Sequence, residues 1–210
     1  MSSEFQLIGS RMPRIDSEAK ARGSAIFTGD IRLPRMLSAA VLRSPYAHAR
    51  IKSIDVSEAE ALPGVKAVIT GQNTARVKWG VFRYTRDQEL LPTERVRFVG
   101  EEVAAVAAVD LDTARRALEL IKVQYEPLEP VMDIWQAMAE GTPLIHDDHP
   151  NNINVHVAID VGDVEKGFAD SALVREDVFT APEDSYFMTE PYAAVANPRP
   201  DGSLELWMPN

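Results

Sequence analysis

The sequence predicts an α+β fold whose first domain contains two strand–helix–strand units. Residues 96–125 pass from a run of small and β-branched residues to a helical stripe, and then to a strand with a period of two. Residues 50–70 repeat this order over a shorter stretch. A chain of 210 residues has room for one large domain or two small ones.

The chain begins with polar sequence before its first strands. Met1–Gly23 is irregular in pattern and predicts an extended arm. Ala25–Gly29 predicts a short strand and Asp30–Pro34 a turn, while Met36–Arg43 predicts a mostly buried strand.

The first strand–helix–strand unit follows. Arg50–Val56 alternates apolar and polar residues, with one slip at Ser53. Ser57 is a favourable N-cap for a short helix through Leu62. Val65–Thr70 then predicts the second strand of the unit.

The second unit has clearer signals for the start and end of each element, and it predicts a βαβ arrangement. Val96–Val109 has the composition of a strand covered on both faces, and Gly100 within it indicates a bulge or a close backbone approach. Asp110 and Asp112 both offer oxygens for the N-cap of a helix. That helix carries one apolar stripe, formed by Ala114, Ala117, Leu118 and Ile121. Alternation resumes from Ile121 to Tyr125, and Pro127 ends the strand.

Residues 72–95 form the least regular interior segment. They carry three aromatic residues and several arginines. Long loops inside compact domains are usually functional or disordered. An ordered surface loop and a substrate-facing loop both fit the sequence, and the surface loop is favoured.

The pattern of predicted elements changes after residue 130. Residues 131–152 predict a linker with a short helix capped by Asp133. Ile134 and Met138 are predicted to face inward, and Trp135 is a further candidate for that face. Beyond it, strands are predicted at residues 153–160, 173–180, 191–197 and 203–208, with a helix from Gly162 to Ala169. Asp201–Gly202 indicates a hairpin turn. The chain stops directly after a strand, so we expect the second domain to be incomplete.

Charge and composition restrict the classes of function. The net charge of −10 and a pI near 4.9 argue against nucleic acid and anionic membranes as partners. The sequence has no apolar run near the roughly 20 residues that a membrane span needs, and no apolar core of a secretory signal near its start. The absence of cysteine excludes disulfides, thiolate zinc sites and an iron–sulfur cluster on this chain.

Two groups of charged residues have a chemical and a structural interpretation each. His146-Asp147-Asp148-His149 has the donor types for a divalent metal, but adjacent residues of an extended loop point apart, which favours a solvated loop and no metal. Glu101-Glu102 is a carboxylate pair of the kind used in acid–base chemistry. Neighbours in a strand face opposite sides, so a structural or interface role is favoured for this pair.

Two further groups lie in the loop at 72–95 and near the C-terminus. Arg76, Arg83, Arg86 and Arg95 could form the mouth of a site for an anionic substrate, but ordinary surface charge is favoured. Residues 183–192 combine three carboxylates with a hydroxyl and aromatic rings, and by themselves indicate a turn with a solvent-exposed edge. No phosphate-binding glycine-rich loop, dinucleotide fingerprint or convincing nucleophile–base pair is present in the sequence.

Three segments of the chain resemble one known family. They read RIDSEAKARGSAIFTGDI, LRSPYAHARIKSIDVSEAEALPGVKAVITG and VRFVGEEVAAVAAVDLDTARRALELIKVQYEPL. In order and spacing they are similar to the N-terminal region of the molybdenum-binding large subunit of the xanthine dehydrogenase and aldehyde oxidase family. The later segments GDVEKGFADS and TEPYAAVANPRPDGSLELWMPN resemble the opening of that family's molybdopterin-binding domain.

The resemblance implies a domain order. Residues 1–130 would form an α/β hammerhead domain with an N-terminal arm, and residues 131–152 a linker. Residues 153–210 would form the incomplete first part of a mixed α/β molybdopterin-binding domain.

The resemblance also implies an activity, that of a molybdenum hydroxylase or dehydrogenase. Its substrate would be a heterocycle, an aldehyde or an aromatic thioester, and water would supply the oxygen at a molybdenum–pterin centre. The cytosine dinucleotide form of the pterin is implied, with iron–sulfur clusters and FAD on partner subunits and no cofactor held by this chain alone. The implied partners are the remaining molybdopterin-binding segment or subunit, an iron–sulfur subunit and an FAD subunit, in the cytoplasm.

Few site residues are implied for this chain itself. By this resemblance, Asp184 and Glu190 are implied to bind the cofactor near the molybdenum centre. Glu190 matches a glutamate of a family strand motif, and Asp184 lies where many members place a glutamine beside the molybdenum. Glu183, Asp184 and Ser185 stand in place of that glutamine, and Pro209-Asn210 in place of a Thr-Gln pair. No catalytic residue is implied, so the chain alone is expected to be inert.

Two alternatives to the enzyme interpretation stay open. One is a non-catalytic scaffold or small-molecule-binding module that kept the fold. The other is an independent α+β binding protein that uses the loop at 79–84.

Overall fold

The computed structural model describes residues 8–9, 11–82, 85–182, 184–185 and 188–209. Contacts group them into two compact units, one drawn from Met1–Pro34 with Glu176–Asn210 and the other Arg35–Arg175. The domain boundaries placed at residues 130 and 152 stay a prediction.

The elements of the described residues follow one another in chain order. They are α1 (Ser17–Ala21), β1 (Ser38–Arg43), β2 (Ala49–Asp55), α2 (Ser57–Ala61), β3 (Val65–Thr70), β4 (Arg95–Val96), β5 (Glu102–Ala108), α3 (Leu111–Leu120), β6 (Lys122–Pro127), α4 (Ile134–Met138), α5 (Val164–Ala169), β7 (Val195–Pro198) and β8 (Leu204–Trp207). Short 3₁₀ turns lie at Thr28–Asp30 and Pro150–Asn152. The described part of the predicted arm therefore contains a helix, α1.

Two three-stranded antiparallel sheets form the core of the larger unit. One has the order β1-β5-β3 and the other β4-β2-β6. The two strands that flank α3 enter different sheets, and so do the two strands that flank α2. The strand–helix–strand order is thus confirmed, but the βαβ interpretation is wrong, because each helix joins two sheets instead of crossing over one.

Small side chains set the distance between α3 and the sheet beneath it. Ala104, Val106 and Ala108 of β5 are buried together with Ala114 and Ala117 of the helix. Because alanine leaves little bulk between backbones, the apolar stripe predicted for α3 packs directly on the central strand. This packing makes α3 and the β1-β5-β3 sheet one hydrophobic core.

The single strand predicted over Val96–Val109 is instead two strands, β4 and β5, and Gly100 lies in the turn between them. Its φ of 92° lies in the left-handed region, and no heavy atom lies within 4 Å of the position that a Cβ would occupy. Gly100 is therefore needed for its backbone angle and not for a close approach. Its N–H donates to the Ser44 carbonyl at 2.8 Å, which ties the turn to the end of β1.

Several local predictions are confirmed. The Asp110 carboxylate accepts a hydrogen bond from the Thr113 N–H at 2.7 Å and caps α3. Asp133, the predicted cap of α4, caps that helix in the same way. The helix predicted to open at Gly162-Asp163 is α5, and the structure shows that Asp163 caps it. The turn at Asp201–Gly202 joins β7 and β8 in an antiparallel hairpin.

The predictions that need a partner strand fail more often. The segments 25–29, 153–160 and 173–180 are not strands, and the first of them leads into the 3₁₀ turn. Alternation alone does not make a strand, because the backbone also needs a neighbour to exchange hydrogen bonds with. In the second and third segments, no described strand supplies that neighbour.

Two helix details also differ from prediction. Ser57 is the first residue of α2 and not its cap, since its N–H and hydroxyl both donate to the Asp55 carboxylate, the stronger acceptor. In α4, Ile134, Trp135 and Met138 are exposed and do not face inward.

Candidate functional site

A cavity of about 450 Å³ lies in the smaller unit. The 3₁₀ turn Thr28–Asp30 and the segment before β7 supply its walls. The lining residues are Phe27, Gly29, Asp30, Thr189, Glu190, Pro191 and Ala193.

The turn that forms one wall is held by Asp30. Its carboxylate accepts a hydrogen bond from the Phe27 N–H at 3.0 Å, which closes the 3₁₀ turn over Thr28 and Gly29. The turn sets the ring of Phe27 beside the cavity. The sequence gives no signal for Asp30 as a site residue, because it stands in a segment that predicts only a turn.

Carboxylate acceptors dominate the polar side chains described in this cavity, and its one hydroxyl can both donate and accept. Asp30 and Glu190 bring two carboxylates, Thr189 brings a hydroxyl, and the remaining described walls are apolar or backbone. No Lys or Arg lies among the described lining residues. Such a site suits a flat apolar molecule with N–H or O–H donors.

The structure treats the two predicted cofactor-binding residues differently. Glu190 is half-buried and lines the cavity. Asp184 is exposed and is not among the described lining residues. Glu183, which belonged to the same prediction, lies outside the described residues.

A second, polar cavity of about 380 Å³ lies in the larger unit. The loop before β4 and the connector at residues 145–149 form its walls. Its described lining is Arg76, Lys78, Glu89, Thr93, Glu94, Arg95, Arg97, His146, Asp147 and Asp148.

Ion pairs join the two walls of this polar cavity. Arg95 is paired with Asp147, and the Lys78 ammonium lies 3.2 Å from the Asp148 carboxylate. The hydrogen bond from Lys78 is the main reason that the pKa of Asp148 is lowered. These pairs fix the loop against the connector, so cationic and anionic groups balance within the cavity.

The predicted arginine group is only partly brought together. Arg76 and Arg95 line the polar cavity, whereas Arg86 is exposed and not among its described lining residues. Arg83 lies outside the described residues. This arrangement gives little support to an anionic-substrate site formed by these arginines, since Arg95 is already paired with Asp147.

The connector side chains of residues 146–149 point in two directions. Asp147 and Asp148 turn to Arg95 and Lys78, while His146 and His149 approach each other with ring centroids 5.4 Å apart at 87°. Asp87 reaches the same place from the loop. Burial, followed by the charge of Arg97, lowers the pKa of His146. The connector is thus a partly buried segment, not a fully solvated loop.

The adjacent carboxylates Glu101 and Glu102 serve different structural contacts. Glu101 accepts a hydrogen bond from the Arg97 N–H at 2.5 Å, and burial raises the pKa of its carboxyl group. Glu102 is paired with Arg43 of β1 at 2.6 Å. The two side chains do not share a site. Alternation along a strand is not the reason, because β5 begins at Glu102 and Glu101 lies in the turn before it.

The polar side chains that line the first cavity do not suit every part of a pterin cofactor. A pterin phosphate is anionic and is normally held by cationic side chains, backbone N–H groups or a helix N-terminus. The two carboxylates of the cavity oppose an anion. The described residues of this cavity therefore do not fit the phosphate end of the cofactor.

Comparisons with known proteins identify both halves of the chain. Residues 22–129 match the family model described as "Aldehyde oxidase and xanthine dehydrogenase, a/b hammerhead domain", and residues 145–210 match a molybdopterin cofactor-binding domain. The fold is thus a hammerhead domain followed by the start of a molybdopterin-binding domain. The chain belongs to the aldehyde oxidase and xanthine dehydrogenase family.

Relatives and solved structures agree with this assignment. The chain is 34% identical over 209 residues to the nicotinate dehydrogenase large molybdopterin subunit of Eubacterium barkeri, with 97% of this chain and 47% of that protein covered. It is 33% identical over 222 residues to the carbon monoxide dehydrogenase large chain of Afipia carboxidovorans, covering 98% of this chain and 27% of that one. Quinoline 2-oxidoreductase from Pseudomonas putida 86 superposes with a TM-score of 0.83 at 35% identity, over 95% of this chain and 26% of that chain.

The matches cover nearly all of this chain but only part of each relative. The chain spans less than half the length of these relatives. Within the described residues, no helix combines the length and apolar character needed to cross a bilayer.

Proposed function

We propose that this chain supplies the N-terminal part of the large subunit of a molybdenum hydroxylase or dehydrogenase. The observation that carries the proposal is the order of its two family matches, a hammerhead domain at 22–129 followed by a molybdopterin-binding domain from 145. Relatives that match nearly the whole chain are large subunits named for oxidation of a heterocycle or carbon monoxide.

The proposed assembly contains more than this chain. A further molybdopterin-binding segment or subunit would complete the site, and iron–sulfur and FAD subunits would carry electrons away, all in the cytoplasm. The molybdenum–pterin group would supply the oxidising centre when bound. The chain alone is proposed to lack turnover, because the described lining residues of the first cavity, hereafter the acceptor-lined cavity, do not include a complete set of catalytic groups.

We assign substrate contact to the acceptor-lined cavity around Glu190. A half-buried carboxylate beside an aromatic ring can accept a hydrogen bond from an N–H of a heterocyclic substrate. Heterocycles are therefore the preferred class, with aldehydes and aromatic thioesters as the other candidates. Asp184, which is exposed, is proposed only to lie near the molybdenum centre.

Purification from the native source tests the assembly. The tagged chain is expected to bring down molybdenum, iron and flavin in one complex with further polypeptides. A monomeric, metal-free chain in that source would reject the enzyme and leave the scaffold interpretation.

Substitution in the assembled enzyme tests the role of Glu190. Glu190→Gln keeps the size of the side chain and removes its charge, and should lower kcat/KM with a heterocycle by about tenfold or more, or about 1.4 kcal/mol of transition-state stabilisation. Glu176→Gln changes an exposed carboxylate of the same unit and should leave kcat/KM unchanged. Equal rates for both variants, with the complex intact, would remove Glu190 from the site.

A further inference from the structure

Asp87, His146 and His149, hereafter the His–Asp cluster, bring three metal-ligating groups together. One donor atom from each lies within 4.8 Å of the other two. Donors around a tetrahedral zinc ion, each about 2.0–2.2 Å from the metal, stand about 3.4 Å apart. Small side-chain rotations would therefore bring these atoms to bonding distance.

The backbone holds the two imidazoles of the cluster in place. The His149 N–H donates to the His146 carbonyl at 3.1 Å, and the resulting turn puts both rings on one side of the connector. The Pro150–Asn152 3₁₀ turn follows directly. Side chains three residues apart can converge across such a turn although adjacent ones diverge.

The third ligand is oriented by a separate contact. The side-chain amide of Asn154 donates to one oxygen of Asp87 at 3.2 Å. Hydrogen bonds of this kind fix metal-binding carboxylates in known sites. The cluster thus has an outer contact as well as its three donors.

One ring atom at the cluster has an unmet hydrogen-bonding capacity. His149 Nδ1 is buried and makes no hydrogen bond within the described structure, although it lies 3.2 Å from the Asp148 carboxylate. The side chain of His149 is 17% exposed. Buried polar atoms are normally partnered, so an unmet one calls for an explanation such as a missing ion.

The surrounding charges do not exclude a cation. Lys78 and Arg95 are each neutralised by a connector carboxylate. Arg97 is the remaining cation that acts on His146, and its guanidinium is turned to the backbone carbonyls of Ile145 and Arg95. The Asp87 carboxylate contributes the negative charge within the donor set.

We propose that the His–Asp cluster binds one divalent transition-metal ion through Asp87, His146 and His149, with water completing a tetrahedral site. Two imidazoles and one carboxylate are the donors of zinc sites, whereas Ca²⁺ and Mg²⁺ prefer oxygen alone. The ion ties the loop that carries Asp87 to the connector that carries the histidines. It is a structural clamp for the walls of the polar cavity.

Zinc titration of the metal-free, full 210-residue chain tests the proposal by calorimetry. One ion per chain should bind, with micromolar affinity or tighter. Asp87→Asn, His146→Ala and His149→Ala should each weaken binding by at least about tenfold. His156→Ala is the matched control, because His156 is exposed and not among the cluster residues. This variant should bind zinc with the affinity of the wild type.

Two readouts separate loss of a ligand from loss of the fold. Asp87→Asn keeps an acceptor for Asn154, and circular dichroism should show its native spectrum. Cobalt in place of zinc should give the strong visible absorption of a tetrahedral site in the wild type and lose it in a folded Asp87→Asn variant. Binding weaker than micromolar in the wild type, or wild-type affinity in folded Asp87→Asn, would overturn the proposal.

Discussion

Gly71 marks a place where two backbone segments nearly touch, and it yields a sharp test of the fold. A Cβ added there would lie 2.4 Å from the Pro92 carbonyl oxygen and 2.8 Å from that of Leu91. Gly71 follows β3, and Leu91–Pro92 lies in the loop that leads to β4. Gly71→Ala therefore pushes the loop away from the end of β3.

The size of the effect follows from these distances. Ordinary Cβ contacts are 3.4 Å or longer, so the backbone at Pro92 would have to move by about 1 Å. Overpacking of this kind costs about 1–3 kcal/mol. For a chain of this size each kcal/mol lowers the Tm by about 2–4 °C.

Chemical denaturation of Gly71→Ala measures this cost directly. Gly167→Ala is the matched control, because it lies in α5 of the same compact unit and meets no heavy atom within 4 Å. Alanine at that helical position is expected to stabilise by about 0.8–1.0 kcal/mol or to be neutral. If Gly71→Ala unfolds at the wild-type midpoint, the close approach of the two segments is refuted.

Two further predictions concern carboxylates with shifted pKa values. Burial raises the pKa of Glu101 above 4.5, so its favourable contribution is fully present below pH 4.5 and is lost as pH rises through the folded-state pKa. Glu101→Gln, which keeps an acceptor for the Arg97 N–H, should unfold at higher urea concentration than the wild type near neutral pH, and the gain should vanish below pH 4.5; a gain that does not depend on pH contradicts this reasoning. The hydrogen bond from the Thr113 N–H lowers the pKa of Asp110 below 3.8, so its contribution is present above pH 3.8 and is lost as pH falls through the folded-state pKa. Asp110→Ala should lower the Tm at neutral pH by more than Asp110→Asn, which keeps an acceptor for the Thr113 N–H, and the gap between the wild type and Asp110→Ala should narrow in acid; an equal Tm for the two variants at neutral pH would contradict the cap.

The helices and turns were predictable because their causes are local. Asp110, Asp133 and Asp163 each cap a helix whose first N–H groups lie two or three residues ahead, so a short window of sequence contains both donor and acceptor. The hairpin at Asp201–Gly202 is local for the same reason. Ser57 was misjudged because a stronger acceptor, Asp55, lies two residues before it.

Strand pairing was less predictable because the partner is remote. The alternating residues 153–160 have the pattern of a strand but no described neighbour, and residues 122–127 have the same pattern with β2 as their neighbour. The sequence does not state that the strands on either side of α3 enter different sheets. That choice depends on which sheet offers an open edge and an apolar face.

The residues of the candidate sites also divide into those that the sequence indicates and those that only the structure brings together. Glu190 was reached through family motifs, and the structure then added Asp30 to its cavity from a distant part of the chain. The His–Asp cluster was considered only within residues 146–149, because its third member, Asp87, is far away in sequence.

The sequence by itself determined the family, the two strand–helix–strand units, and the caps of α3 and α4, since these depend on motifs and on neighbours a few residues apart. Only the tertiary structure decided which strands pair, which acidic residues line a cavity and which donors converge at residues 87, 146 and 149. The physical reason is that convergence depends on long-range packing, where the chain closes large loops to bury its small-residue core.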